Sequence, residues 1–166
     1  MKYVSSVAVI VALFFLTGHG AFAASATDNA TATVIAPIAI ASGTDLAFGN
    51  FSVSASPGTV VMSTSSTILA TGGVLLSTST ISAGTFAVTG SANTTYAITL
   101  PGSAATLTDS GAHTMTVDTW TSNPSGTGTL SGAGAQTISV GGTLHVGGSQ
   151  VSGAYSGTFS VSVDYN

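Results

Sequence analysis

Side chains able to move a proton or hold a metal are few in this chain. Beyond residue 23 there are two histidines, His113 and His145, and five aspartates, Asp28, Asp45, Asp109, Asp118 and Asp164. There is no Cys, no Glu and no Arg, and the single Lys is Lys2. Thiolate metal sites, redox pairs and disulfides therefore have no material. The histidines stand in no recognised metal spacing, and the aspartates form no Asp-rich calcium loop. Asp109 and Asp118 flank His113, but Asp109 opens an Asp109-Ser110-Gly111 turn, and turn formation accounts for it. Two aspartates would suffice for glycoside hydrolysis, yet nothing marks a pair. Serine is abundant without a G-x-S-x-G nucleophile elbow. The expectation is a protein that is not an enzyme, with no catalytic residues, no metal and no cofactor. Trp120, the only tryptophan, reads either as a core residue or as an exposed platform for stacking on sugars.

The background carrying these residues narrows the function classes further. The chain has 166 residues, 44% of them hydrophobic and 4% charged. With no basic residue after Lys2 it cannot neutralise phosphates, which excludes nucleic acid as a partner. Attraction to anionic lipid headgroups fails on the same ground. Low charge with a high apolar share is the opposite of a disordered composition. The length suits one domain. Stability must come from packing and hydrogen bonds, because ion pairs have almost no cations to use.

The first 23 residues read as a signal peptide. Lys2 gives the positive start and Val4–Leu16 an apolar run. Ala21-Phe22-Ala23 fits the small-x-small cleavage rule. A run of about 13 residues is too short to span a bilayer, so no stable membrane insertion is expected after cleavage. The expected course is export through the general secretory route, with the periplasm as a stage in transit.

The rest of the chain has the period of strands. From Val151, one face reads Val151, Gly153, Tyr155, Gly157, Phe159, Val161, Val163, Tyr165, and the other is small and polar. One strand is expected to run from there to Asn166, half-buried in a sandwich or barrel. Leu46, Phe48, Phe51 and Val53 sit around Gly49. Val60–Met62 and Ile68–Ala70 are further strands, and Gly72-Gly73 turns the chain into Val74-Leu75-Leu76. Phe86 and Val88 alternate before Gly90, and Tyr96, Ile98 and Leu100 before Pro101. Met115 and Val117 come after the Asp109 turn. Ile138, Val140, Leu144 and Val146 flank Gly141-Gly142, a bulge or sharp bend. Ser125–Ala135 reads as a loop. About nine to ten short strands at regular spacing indicate an all-β antiparallel sandwich.

Residues 24–40 stand apart from the domain expected over 41–166. In Thr31–Ile40 the residues Ala32, Val34, Ala36, Ile38 and Ile40 share one face, while Pro37 belongs on an edge or at a bulge. Two readings remain open. The segment is an edge strand of its own domain, or it is a donor strand that adds to the sheet of a neighbouring subunit.

The ending G-x-Y-x-G-x-F-x-V-x-V-x-Y-N, Gly153 to Asn166, resembles the C-terminal strand of chaperone–usher pilins and of spore coat protein U domains. Asp45-Leu46-Ala47-Phe48-Gly49 is similar to the first-strand signature of those relatives. The mature chain most closely resembles a bacterial secreted family known as domain of unknown function 4402. That likeness is carried by Phe86-Ala87-Val88-Thr89-Gly90, Tyr96-Ala97-Ile98-Thr99-Leu100 and Val140-Gly141-Gly142-Thr143-Leu144, and spans roughly residues 31–166. The chain departs from most chaperone–usher pilins in having no cysteine pair. The resemblance implies an immunoglobulin-like sandwich and assembly into fimbriae by strand exchange. Its partners would be identical or related subunits, a periplasmic chaperone and an outer-membrane usher. Val34, Ala36, Ile38 and Ile40 would be the donor residues. Tyr155, Phe159, Val161, Val163 and Tyr165 would form the C-terminal strand beside the groove. The expected function is a structural subunit of a surface filament or matrix. The alternative is a monomeric secreted adhesin or carbohydrate-binding module.

Overall fold

The structure is a computed structural model that describes residues 23–166. The signal peptide expected over residues 1–23 lies outside the described residues, save Ala23. Residues 23–33 are exposed and carry no helix or strand. Residues 34–166 form a compact unit of their own. Among the described residues no helix is long and apolar enough to cross a membrane.

Among the described residues ten antiparallel strands build two sheets. They are β1 (Ala39–Ser42), β2 (Phe51–Met62), β3 (Ile68–Leu76), β4 (Gly84–Thr89), β5 (Thr95–Thr99), β6 (Ala105–Thr108), β7 (Thr114–Asn123), β8 (Thr127–Thr129), β9 (Ala135–Val146) and β10 (Ser162–Tyr165). The larger sheet runs β1-β4-β9-β2-β3, with β7 also on β9 and β6 on β7. The smaller sheet runs β10-β5-β8. The architecture is a β-sandwich, as the period-two pattern implies. β1 pairs with β4, Ile40 opposite Val88, so it crosses the boundary expected at residue 40.

β9 organises the larger sheet. Its first half pairs with β4 and its second half with β2. The change of partner falls at Gly141-Gly142, where the sequence signals a bend. A Cβ on Gly141 would run into the Met62 carbonyl, so only glycine lets β2 come this close. On the other edge β7 carries a bulge between Asp118 and Thr121, with Thr119 in the left-handed region at φ 48°.

Three sequence expectations are corrected. Gly72-Gly73 does not separate two strands. It lies inside β3, with Gly72 at φ 68°, opposite the register break of β2 between Val53 and Gly58. Ser125–Ala135 is not wholly loop, because Thr127–Thr129 adds β8 to the edge of β5. Most consequential, the strand expected from Val151 to Asn166 is present only as β10. Upstream, Ser156 alone bridges, to Thr108. Of the apolar face expected in residues 151–160 only Tyr155 and Phe159 are partly buried, Val151 is exposed, and beyond this single bridge to the end of β6 no ladder forms among the described residues.

The core falls into two clusters. One joins both sheets through Val88, Tyr96, Ile98, Leu130, Ile138, Val140, Val161 and Val163. The other is the inner face of β2, β3, β7 and β9: Val60, Met62, Val74, Met115, Val117, Leu144 and Val146, with Phe48. Trp120 packs against both.

Candidate functional site

The smaller sheet covers the first cluster only. Over the second, the larger sheet is met by two segments that are not regular strands. Leu46 and Phe48 come from one side, just ahead of Phe51 at the start of β2, and Tyr155 from the other. Between the segments lies a groove of about 780 Å³, bordered by residues 44–51 and 153–159 and lined by Leu107, Met115, Val117, Trp120 and Leu144. A second depression of about 650 Å³ adjoins it and shares Gly49, Asn50, Phe51, Met115, Gly153 and Tyr155.

The two walls differ in how their backbones are satisfied. The 43–50 wall is tied to residues 77–85. Ala47 and Ser82 exchange both backbone bonds, Thr85 N donates to Thr44 O, and Ser77 N donates to Asn50 O. Gly49 turns this wall at φ 74°. In the 153–160 wall only Ser156 makes backbone–backbone hydrogen bonds, to Thr108 at 2.9 and 3.1 Å. Among the described residues the other amides and carbonyls of that wall have no backbone partner. A chain edge in this state is a template for an added strand.

At one place the groove is floored by aromatic rings. Trp120 stacks on Phe159 at 4.6 Å and 25°, and Phe86 meets Phe159 edge-on at 5.8 Å. Trp120 Nε1 donates to Ser103 O at 3.3 Å. Trp120 is thus half-buried, at the boundary between the two core clusters.

The C-terminal residues separate into three roles. Tyr155 and Phe159 line the groove. Val161 and Val163 are buried in the cluster shared by the two sheets. Tyr165 packs on that cluster too, and its hydroxyl accepts from Ser91 N at 2.6 Å and donates to Ala36 O at 2.9 Å.

The N-terminal set divides as well. Val34 is 96% exposed, Ile35 is 50% exposed, and Ala36 is exposed. Ile38 and Ile40, expected with the donor residues, instead pack on the cluster shared by the two sheets of their own domain. The cause is pairing of β1 with β4, which places Ile40 beside buried Val88.

Two His–Asp pairs lie elsewhere. His145 Nε2 meets Asp118 Oδ1 at 2.7 Å, and Thr119 Oγ1 donates to the same oxygen at 2.9 Å. These bonds hold Asp118 below the usual carboxylate range, against a smaller upward push from burial. Asp109 accepts from His113 Nδ1 at 2.9 Å, from His113 N at 2.8 Å and from Gly111 N at 2.9 Å. Burial pushes Asp109 up, but the His113 ring and amide, the imidazole charge and Gly111 together bring it below the usual range. Burial raises the Tyr96 phenol, whose hydroxyl donates to Gln136 Oε1 at 2.7 Å. Neither His–Asp pair lines the groove. Among the described residues no three His, Cys, Asp or Glu side chains gather to hold a metal.

The periodicity of 151–166 points to Tyr155 and Phe159, whereas no local pattern marks the opposite wall and the floor as a site. A signal is present, since Leu46, Phe48 and Phe51 are more large apolar residues than one short strand face needs.

No curated protein and no solved structure matches the chain. A family model, described as a domain of unknown function, DUF4402, matches residues 38–165. That span covers the strands from β1 through β10, and on this ground the chain belongs to the DUF4402 family.

Proposed function

We propose that the protein is a non-enzymatic structural subunit of an extracellular, fimbria-like filament or surface matrix. Subunits join by donor-strand complementation, each placing its N-terminal stretch in the groove of the next. The observation carrying this reading is the apolar groove between residues 44–51 and 153–159, one wall of which has backbone groups without a backbone partner among the described residues. Along this groove the half-buried Leu46, Phe51, Leu107, Trp120, Tyr155 and Phe159 keep part of their apolar surface in water, at a cost of about 25 cal/mol per Å². An added strand covers that surface and completes the ladder together.

The occupant favoured by the chain is a second copy of residues 24–35. Val34 and Ile35 are exposed in a stretch without strand partners of its own, ahead of β1. Extended, that stretch spans about 40 Å, against roughly 25 Å for the 153–160 wall, at ~3.3 Å per residue. Val34 then serves as a donor residue, while Ala36, whose carbonyl accepts from the Tyr165 hydroxyl, stays with Ile38 and Ile40 in its own subunit. An immunoglobulin-like ancestry, with kinship to chaperone–usher pilins and spore coat protein U domains, belongs to the same reading: a sandwich short of one strand. So do export through the general secretory route, a periplasmic chaperone covering the groove in transit, an outer-membrane usher and a final place at the cell surface.

A second reading, a monomeric secreted adhesin or carbohydrate-binding module, is favoured by Trp120 and Phe159 in the groove, because aromatic rings stack on sugars. One face of Trp120 is already taken by Phe159, which weighs against it.

Negative-stain electron microscopy separates the two. Purified mature protein should form fibres, and protein lacking residues 24–36 should give monodisperse particles. Particles alone from both, with no fibre on native cells, would reject the filament and leave the adhesin for a glycan-binding screen.

A further inference from the structure

The Tyr165 hydroxyl joins three parts of the chain that are remote in sequence. It sits at the end of β10, accepts from Ser91 N in the β4–β5 turn and donates to Ala36 O ahead of β1. Among residues 23–38 this is the tertiary hydrogen bond nearest the N-terminus; the other, from Asn29 N to Asp28 Oδ1, is local. Room for the hydroxyl is provided by Gly90, where a Cβ would collide with it. Pro37, the next residue after Ala36, has no N–H to bond with. The single bond at Ala36 is therefore the last tie before the chain becomes exposed at Ile35 and Val34.

The place of that tie matters for where the free stretch can go. Ala36 lies three residues ahead of β1, and it is the far end of β1 at Ser42, with the chain that follows it to Phe51, that borders the groove. To enter its own groove the stretch before Ala36 would have to double back along the length of β1. We infer that Tyr165 is a positioning residue: its hydroxyl fixes the exit of the N-terminal stretch at the end of β1 away from the groove, and so directs that stretch to a neighbouring subunit rather than to its own. This inference rests on the donor-strand reading for its consequence, but the clamp itself is a property of the isolated subunit.

The test uses Tyr165→Phe, which keeps the packed ring and removes the hydroxyl. Gly90→Ala, which keeps the hydroxyl and displaces it, is the second variant. Amide hydrogen exchange is followed on soluble subunits. The amides of Ile38–Ser42 should exchange about two- to tenfold faster in both variants, the range expected for one lost hydrogen bond. The amides of Ile138 and Val140 should not change. Equal acceleration everywhere would mean that Tyr165 only stabilises the fold and would overturn the clamp, as would no acceleration at Ile38–Ser42.

The consequence is read separately with Val34→Cys and Thr158→Cys in one chain, which has no other cysteine. Oxidised in dilute solution, this chain should cross-link between molecules, and adding Tyr165→Phe should divert part of the product into an intramolecular disulfide. Unchanged partition overturns the directing role. Absence of any cross-link would count against the donor-strand reading, while the exchange data would still decide the clamp.

Discussion

Trp120 and Phe159 stack with ring centroids 4.6 Å apart, and the pair marks the line where the two-sheet core ends. On one side Val161 and Val163 lie buried between the sheets. On the other Tyr155 leans over a larger sheet that has no second sheet above it among the described residues. The C-terminal stretch therefore changes, within about ten residues, from a core strand to the wall of a groove.

Since Trp120 is the only tryptophan, it reports on the groove without labelling. A synthetic peptide of residues 24–37 should shift its emission saturably to shorter wavelength, as the indole loses water. The same peptide with Val34→Asp should leave the spectrum unchanged, because an unpaired carboxylate resists burial. Equal responses to both peptides would show that the groove does not take Val34.

Val34→Asp in the full chain should abolish fibres and leave subunit stability within about 0.5 kcal/mol, the range for surface substitutions. The reason is that Val34 is 96% exposed in its own subunit. Ile38→Asp should behave differently. Ile38 packs on the core shared by the two sheets, so the subunit itself should lose on the order of 2–3 kcal/mol. Urea unfolding midpoints of the two variants, measured on monomers, check the contrast.

Acid should weaken the subunit through Asp109 and Asp118. Both carboxyls titrate lower in the fold than in the unfolded chain. Their contribution is complete above the ordinary carboxylate value near 4 and is lost as pH falls from there through the lowered folded values. Asp109→Asn and Asp118→Asn should each flatten the acid limb of a Tm-against-pH curve below about pH 4. Unaltered limbs in both variants would show that these pairs do not couple to folding.

Much of the sandwich is legible in local pattern. β4 and β5 lie where Phe86 and Val88, and Tyr96 and Ile98, alternate, because a half-buried strand needs period two. Gly141-Gly142 is legible as a bend, but not as the point where β9 exchanges β4 for β2, since pairing depends on residues some 80 positions away. Gly72-Gly73 reads as a turn because bulges and turns draw on the same residue. The groove is legible least of all. Residues 151–160 keep the alternation of a paired strand, and alternation reports burial of one face, not the presence of a neighbour along the edge. The extent of the donor stretch is hidden for a similar reason: Ile38 and Ile40 continue the face of Val34 and Ala36, yet pairing with β4 claims them for their own domain.

The most direct test of the central claim is disulfide trapping between two kinds of subunit. One carries Val34→Cys, and the other carries Thr44→Cys or Thr158→Cys on either wall of the groove. Cross-linking requires Cα atoms within about 7 Å. The account expects mixed, oxidised fibres to yield covalent dimers with at least one wall position, and none with Ser110→Cys, which does not line the groove. Fibres that form but give no dimer at either wall would contradict donor-strand assembly through this groove.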